Sequence, residues 1–335
     1  MRKKKLNIAI FGQGKPIIDF YNLSKNKNIE IKLVITHRKK YHLKDIQDFK
    51  SYKNIYENIF NYSNKFKIIE IDKISNNLIN ILKKNQINLI ISCGSRFLFN
   101  KQFIKQFKNK LFNFHPSYLP EERGGANFTY RILNNKKQIS ATIHEISEKI
   151  DEGNILFQKK IMVKKINNLI LFKETYKLYK IFFIKLIKKF MNNEKIITRK
   201  QKINNATKNL KITSYNNGAI NWMWSIKSIN NFIKAFGPPY TGAFTFINKK
   251  RVEIIKAKIS KYEKFNEFLS GKIFKSNKDG SIIVYCKDGL LKIDKIKIEN
   301  KLFLPGKILK LQSRFFTPIN ILDKALSGNN KINFK

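Results

Sequence analysis

Short apolar runs alternate with polar or amphipathic stretches through the first half of the chain. Runs without an apolar–polar alternation are typical of strands that are buried on both faces of a parallel sheet. The stretches between them can form crossover helices, and residues 76–84 have the apolar periodicity of one. The order of these segments predicts an α/β fold with a Rossmann-like, doubly wound, mostly parallel sheet. The predicted strands are residues 6–11, 29–36, 67–71, 88–93 and 111–114.

Residues 1–192 are predicted to form one domain. It ends with a helix at residues 126–133, strands at residues 140–146 and 154–163, and a long helix at residues 168–192 that carries an apolar stripe,. The composition then becomes polar and basic, which predicts a linker at residues 193–215.

Turn signals divide the last third of the chain. Asp279-Gly280 and Asp288-Gly289 separate short segments that are rich in β-branched and aromatic residues,. Because closely spaced short strands favour a small barrel, residues 216–315 are predicted to form an OB-like β-barrel, followed by a tail at residues 316–335. The predicted elements are a helix at residues 225–235 and strands at residues 244–247, 251–257, 271–274, 281–286, 290–298 and 307–311.

The chain of 335 residues is strongly basic, with 68 Lys and Arg against 23 Asp and Glu and a net charge of +45. A charge of this size allows electrostatic binding of nucleic acid. However, the lysines are spread over all predicted elements and occur with Asn, Ile, Phe and Tyr, whose codons are rich in A and T. We interpret most of the charge as a result of base composition, and we still expect salt-sensitive adhesion to polyanions.

The two cysteines, Cys93 and Cys286, are far apart and lack metal-ligand spacing, which favours a reducing compartment without disulfides,. The N-terminus lacks the apolar segment of a signal peptide. Lysines interrupt the most apolar predicted helix, at residues 178–190, so that it cannot span a membrane,. We therefore expect a soluble cytoplasmic protein without a metal site or membrane contact.

Two features near the first strands are ambiguous. Gly12-Gln13-Gly14 could bind a phosphate at a helix N-terminus, although without a third glycine the simpler interpretation is a tight turn,. His37 and His42 have no carboxylate or histidine at ligand spacing, so both are expected at the surface.

Asn113 and His115 lie at the end of the predicted strand at residues 111–114, where Pro116 stops regular structure,. In an open parallel sheet, ligands bind outside the carboxyl ends of the strands, and residues two apart point to the same side. Both side chains are therefore expected to face a binding crevice. Asp151, on a turn before Gly153, is the nearest carboxylate that could orient the histidine.

These residues belong to a longer pattern that resembles the signature of formyltransferases that use 10-formyltetrahydrofolate. More weakly, residues 218–257 resemble the C-terminal domain of methionyl-tRNA formyltransferase and of some sugar N-formyltransferases. The resemblance implies formyl transfer from 10-formyltetrahydrofolate to a primary amine. The pattern consists of Asn113-Phe114-His115-Pro116-Ser117, Leu119-Pro120 with Arg123-Gly124, Thr142-Ile143-His144, and Ile150-Asp151-Glu152-Gly153.

The resemblance also implies roles for individual residues. Formyl transfer passes through a tetrahedral intermediate, for which Asn113 could donate a hydrogen bond to the oxyanion. His115 could stabilise that charge or take a proton from the amine, and Asp151 would orient the imidazole. Arg123 is expected to brace a loop or to contact an anionic substrate, and His144 occupies a position seen in glycinamide ribonucleotide and sugar formyltransferases. The residues expected to hold the folate donor are Phe97, Leu98, Phe99, Ser117, Leu119, Pro120 and Ile150.

Two features favour a small acceptor, a nucleotide-linked amino sugar, over tRNA. Methionyl-tRNA formyltransferases carry a Gly-, Arg-, Lys- and Pro-rich loop after the second strand, whereas residues 37–63 contain neither glycine nor proline. Glu121-Glu122 also place two acids where those enzymes have basic or aromatic residues, and acids beside a phosphate backbone are unfavourable. The alternatives are methionyl-tRNA as the acceptor, water in a formyltetrahydrofolate hydrolase, and a noncatalytic nucleic-acid-binding protein. The oligomeric state is left open.

Overall fold

The computed structural model of the protein describes residues 5–25, 28–49 and 51–327. The basic start of the predicted first domain, residues 1–4, and the end of the predicted tail, residues 328–335, lie outside the described residues. The chain forms two compact units. The first comprises Met1–Asn127, Gln138–Val163 and Ile170–Asn209, and the second comprises Phe128–Lys137, Lys164–Leu169 and Leu210–Lys335.

A seven-stranded sheet forms the centre of the first unit. The strands of this unit are β1 (Leu6–Gly12), β2 (Ile29–Thr36), β3 (Lys67–Glu70), β4 (Leu89–Cys93), β5 (Leu111–His115), β6 (Arg123–Gly124), β7 (Gln138–Glu145), β8 (Ile155–Met162) and β9 (Lys208–Asn209). The sheet order is β3-β2-β1-β4-β5-β7-β8, and β6 pairs separately with β9. Strands β1 to β5 run parallel, whereas β7 and β8 are antiparallel. The predicted Rossmann-like, mostly parallel sheet is confirmed.

Helices link these strands. They are α1 (Lys15–Ser24), α2 (Leu43–Phe49), α3 (Asn76–Lys84), α4 (Lys101–Gln106), α5 (Asn127–Leu133) and α6 (Asn168–Met191). Strands β1 and β4 are buried along their whole length, as continuous apolar runs require,. Helix α6 supports β5, because the Tyr179 hydroxyl donates to the carbonyl of Phe114 at 3.0 Å and Phe183 stacks on Phe20 of α1. Helix α6 thereby fixes the position of β5, the strand that carries His115.

The second unit contains an antiparallel sheet. Its helices are α7 (Ser214–Asn217), α8 (Ile226–Phe236) and α9 (Ile319–Leu326), and its strands are β10 (Ala243–Ile247), β11 (Lys250–Tyr262), β12 (Ile273–Ser276), β13 (Ile282–Cys286), β14 (Gly289–Ile298) and β15 (Lys301–Phe303). The strand order is β10-β11-β14-β13-β12, and β15 pairs with β14. Trp222 anchors this unit by donating to the Thr245 hydroxyl at 2.9 Å and stacking on Phe315.

One predicted strand of this unit is wrong. Residues 307–311 begin with the last residue of the 3-10 turn Pro305–Lys307 and continue as irregular structure, because a proline and a glycine directly precede the segment,. The last strand is instead β15, which returns along β14 through a tight turn. Glu299 and Asn300 both have positive φ in that turn, a conformation that the sequence Glu-Asn signals less clearly than Asn-Gly,.

Part of the stretch predicted as a linker, residues 193–215, is counted with the first unit. Arg199 pairs with Ile155 at the start of β8, and β9 pairs with β6. The backbone N–H of Arg123 also donates to the carbonyl of Thr207 at 2.9 Å. This returning segment, defined as residues 199–209, therefore lies against the loop that follows β5. No helix within the described ranges is both long and apolar enough to cross a membrane.

Candidate active site

The sheet register brings together the polar residues of β5 and β7. Asn113 lies directly opposite His144 in the antiparallel pair, and His115 lies opposite Thr142. Paired residues share a face of the sheet, so these four side chains point to one side. His115 and His144 are 4% and 2% exposed. Two buried imidazoles thus lie on one face of the sheet near the end of β5.

Asp151 joins the two histidines. The turn between β7 and β8 folds back along β5, so that Asp151 Oδ2 lies 3.5 Å from His115 Nδ1 and Oδ1 lies 3.4 Å from His144 Nε2. Asn113 Nδ2 donates to Oδ1 at 3.3 Å, and the backbone N–H of Gly124 donates to Oδ2 at 2.8 Å. The structure therefore places Asn113, His115 and Asp151, the three predicted catalytic residues, together with His144 in one cluster.

The carboxyl group of Asp151 is strongly perturbed. Burial by itself would favour its neutral form, but His115, His144 and the N–H of Gly124 favour the ionised form and hold the pKa of Asp151 well below its usual range,. The backbone of Asp151 has φ +56°, which is uncommon for a residue other than glycine,. An ionised carboxylate is thus fixed between two imidazoles by a strained turn.

His144 has a defined orientation. Its Nδ1 lies 2.7 Å from the carbonyl oxygen of Glu145, which can only accept, so Nδ1 carries a hydrogen,. Its Nε2 lies 3.1 Å from Asn113 Nδ2. The imidazole of His144 therefore contacts both Asn113 and Asp151.

His115 is held on its other side by the loop before α5. Its Nε2 lies 3.1 Å from the carbonyl oxygen of Glu122 and 3.0 Å from Nδ2 of Asn127. Asn127 was not among the sequence-predicted site residues, and the only signal for it was its place two residues after Gly124-Gly125. Glu122 itself is buried, so Glu121 is the more accessible residue of the predicted acidic pair.

The turn that carries Asp151 is tied to the returning segment. Gln201 Nε2 donates to the carbonyls of Asp151 and Gly153, each at 2.8 Å. Its Oε1 accepts from Arg123 Nη2 at 2.8 Å, while Arg123 Nη1 lies 3.0 Å from a carboxylate oxygen of Glu152. Arg123 thus braces this turn. Sequence reasoning missed Gln201, because no motif marks it in a polar, basic stretch.

The residues predicted to hold the donor fall into three groups. Ser117 and Leu119 are buried, and the carbonyl of Ser117 accepts from the Thr142 hydroxyl at 2.7 Å, so these residues shape the loop from inside. Leu98 and Ile150 leave apolar side chains 75% and 46% exposed. Three others are only partly accessible: Phe97, Phe99 and Pro120.

A small pocket of about 10 Å³ lies at the carboxyl ends of β1, β2 and β4. The strand order reverses between β1 and β4, which is where open α/β sheets bind ligands,. A Cβ on Gly12, where φ is +145°, would lie 1.8 Å from the carbonyl oxygen of Cys93, so only glycine fits this close approach,. The lining residues are Gly12, Gln13, Thr36, His37, His42, Gly94, Ser95, Arg96 and Phe97.

The prediction that His37 and His42 lie at the surface is wrong. Both are buried, because the chain after β2 folds back over the end of the sheet through the 3-10 turn Lys39–Tyr41. His42 Nε2 lies 2.9 Å from the carbonyl oxygen of His37, and Phe97 stacks on the His37 ring. Burial lowers the pKa of His42. Within the described ranges, no group of His, Cys, Asp and Glu could hold a metal ion.

Comparisons with protein families match both units. The formyl transferase model matches residues 4–170, and the model of the formyl transferase C-terminal domain matches residues 212–310. The bifunctional polymyxin resistance protein ArnA of Wigglesworthia glossinidia brevipalpis is 30% identical over 87% of this chain. Because that match covers only 40% of ArnA, the chain spans less than half of this relative. Methionyl-tRNA formyltransferase of Finegoldia magna is 27% identical over 66% of this chain and 70% of its own length.

Solved structures have a similar fold. WlaRD, a sugar 3N-formyl transferase solved in the presence of dTDP and 5-N-formyl-THF, has a TM-score of 0.58 and 22% identity over 89% of this chain and 99% of its own. An N-formyltransferase from Helicobacter canadensis, solved with folinic acid and dTDP-3-aminofucose, has a TM-score of 0.60 and 22% identity, covering 86% of this chain and 98% of its own.

Proposed function

This chain belongs to the formyl transferase family, and on that premise we propose that it transfers the formyl group of 10-formyltetrahydrofolate to the amine of a nucleotide-linked amino sugar. The observation that carries the proposal of formyl transfer is the cluster of Asn113, His115 and Asp151 with His144. It combines a hydrogen-bond donor, a titratable base and an ionised carboxylate, which are the groups that acyl transfer to an amine requires.

Asn113 is the proposed oxyanion donor. The two hydrogens of its amide are directed at His144 Nε2 and Asp151 Oδ1, at 3.1 and 3.3 Å. The contact with Asp151 Oδ1 is long, so a small shift of the amide can direct that hydrogen at a formyl oxygen while the other stays bonded to His144,. His115 then accepts the proton that the attacking amine loses, and Asp151 stabilises the resulting imidazolium. The imidazolium gives this proton to the N10 nitrogen as the bond between N10 and the formyl carbon breaks, so that tetrahydrofolate leaves as the neutral amine. Loss of an oxyanion donor costs about a hundredfold to a thousandfold in turnover.

The residues present fit a folate donor. The pterin ring is flat and largely apolar, and it requires both apolar contact and hydrogen-bonding groups. Leu98 and Ile150 expose apolar side chains on two loops of the first unit. The loop that contains Gly94, which has φ +65°, begins at the carboxyl end of β4 and lines the pocket there. We propose that these loops and the segment Ser117–Pro120 hold the donor, which supplies the formyl group.

Two observations support a small acceptor. Residues 37–63, which replace the arm expected of an enzyme that acts on tRNA, are folded into α2 and short turns, with Ile55 and Ile59 buried. The described part of this stretch, residues 37–49 and 51–63, has no extended polar arm that could lie against an acceptor stem. His144, at a position seen in sugar formyltransferases, also contacts Asp151 directly. Both favour an amino sugar over a tRNA.

Methionyl-tRNA is the second candidate acceptor. The net charge of +45 and the 27% identical methionyl-tRNA formyltransferases favour it. So does a row of exposed lysines on the second unit's sheet, where Lys256 of β11 lies opposite Lys295 of β14 and Lys258 follows on β11. Such a row could contact phosphates.

The test is release of tetrahydrofolate from 10-formyltetrahydrofolate by the purified protein. The acceptors are dTDP- and UDP-linked amino sugars, methionyl-tRNA, or none, and His115→Gln serves as the inactive control. Turnover with an amino sugar supports the proposal. Turnover with methionyl-tRNA alone would show that the acceptor is methionyl-tRNA and not an amino sugar. In that case the double variant Lys256→Glu, Lys295→Glu should have a higher KM for tRNA. Turnover without any acceptor would indicate a hydrolase.

A further inference from the structure

Asn127, the first residue of α5, is buried against His115. Its Nδ2 lies 2.6 Å from the carbonyl oxygen of Glu122 and 3.0 Å from His115 Nε2. Because a carbonyl oxygen can only accept, the contact with Glu122 fixes which end of the amide faces the histidine. The NH₂ group of Asn127 therefore has one hydrogen for Glu122 and a second hydrogen for the imidazole.

His115 Nε2 thus lies between a donor and an acceptor. Without a proton, Nε2 accepts from the Asn127 amide. With a proton, it donates to the Glu122 carbonyl, which lies 3.1 Å away. Both protonation states of this nitrogen are hydrogen-bonded, so the ring can gain or lose the proton without leaving a buried polar atom unsatisfied.

The opposite edge of the ring faces a charge. Nδ1 lies 3.5 Å from Asp151 Oδ2, and an ionised carboxylate favours a hydrogen on Nδ1,. In the neutral ring, the single hydrogen is therefore on Nδ1. Nε2 then has a free lone pair and accepts a hydrogen bond from the Asn127 amide. Among the described residues, His144 is a further titratable group beside this ring, with ring centroids 6.1 Å apart, and Glu122, whose carbonyl contacts the ring, is itself buried.

We propose that Asn127 is a positioning residue that holds neutral His115 as its Nδ1–H tautomer and limits its affinity for a second proton. Without the amide, two acceptors still lie at the two ring nitrogens, the Glu122 carbonyl at Nε2 and the Asp151 carboxylate at Nδ1. Two acceptors favour the imidazolium, so removal of the amide raises the proton affinity of His115. An effect of Asn127 on turnover depends on the proposed catalytic role of His115. Its effect on the tautomer of His115 does not depend on that role.

The experiment is a pH titration of the imidazole nitrogens by ¹⁵N NMR on full-length protein labelled at histidine. His115→Gln identifies the signals of His115. In the wild type, the neutral ring should show a protonated Nδ1 and an unprotonated Nε2. Asn127→Leu, which keeps the approximate volume but lacks a donor, should raise the proton affinity of His115 about tenfold, a shift of about one pH unit. Asn127→Asp, which replaces the donor by an acceptor, should raise it further.

The matched control is Asn230→Leu, which removes a buried amide from α8 in the second unit and should leave the His115 titration unchanged. A protonated Nε2 in the neutral wild-type ring would overturn the proposal, and this result needs no variant to fold. An unshifted titration in folded Asn127→Leu would also overturn it. If the titration shifts but the pH dependence of kcat does not follow, the proposal stands and the catalytic role of His115 fails.

Discussion

Gln201→Met tests whether the returning segment fixes the turn that carries Asp151. Methionine has nearly the shape of glutamine but cannot donate to the carbonyls of Asp151 and Gly153 or accept from Arg123. Each lost hydrogen bond is worth about 1 kcal/mol, and the bond to the guanidinium somewhat more. Gln201 is half-buried, so water replaces part of this loss. We expect the free energy of unfolding to fall by about 2 kcal/mol.

The effect on activity follows from the backbone of Asp151. A positive φ costs a residue other than glycine about 1 kcal/mol or more, and the two bonds from Gln201 offset this cost,. Once they are lost, the turn can adopt other conformations that move the carboxylate away from His115. If the conformation that places the carboxylate beside His115 becomes less stable than the others by about 1.4 kcal/mol, kcat falls about tenfold.

The assay combines denaturant unfolding with kcat for tetrahydrofolate release. Lys202→Met is the matched control, because it places the same side chain at the exposed neighbouring position and should change neither quantity. If Gln201→Met lowers the stability but leaves kcat within about twofold, the turn is held by other contacts and the argument is refuted. A changed KM for the donor with an unchanged kcat would contradict it in the same way.

Three further predictions concern the first unit and the thiols. Because the pKa of Asp151 is lower in the folded than in the unfolded chain, its charge stabilises the fold above about pH 4 and this is lost on further acidification,. The stability difference between the wild type and Asp151→Asn, measured by urea unfolding, should therefore shrink below about pH 4. Burial raises the pKa of the Cys93 thiol, and that of Cys286 to about 12, so neither should react with a disulfide reagent until the protein is unfolded,. Gly153→Ala should destabilise the protein by about 3 kcal/mol in the same urea assay, because a Cβ there would lie 1.8 Å from the carbonyl oxygen of Glu145,.

The sheet of the first unit could be predicted because its strands are buried on both faces. The residues of β1 and β4 form continuous apolar runs that few other structures allow,. The positions of Asn113 and His115 followed from the same logic, since period two puts both on one face. Asp151 was expected beside His115 as the nearest carboxylate in the sequence, the resemblance supported this, and the catalytic roles of all three residues stay predictions.

The remaining parts of the site depend on contacts between distant positions in the chain. Gln201 lies fifty residues after Asp151 in a stretch whose composition resembles a linker, and no local pattern relates the two. His42 was misplaced because a histidine among charged residues is usually exposed. Its burial results from contacts such as that with the Phe60 ring, whose centroid lies 5.7 Å from that of His42, and no local pattern in the sequence signals this packing.

The position of Gln201 in the chain also bears on how the protein becomes active during synthesis. Every residue of the recognisable motif has been translated by Gly153, yet the two bonds that hold the Asp151 turn come from a residue that leaves the ribosome much later. A nascent chain or proteolytic fragment that ends before residue 199 would contain the whole signature without this support. Recombinant fragments designed from the motif alone should extend at least through Asn209, the last residue of β9.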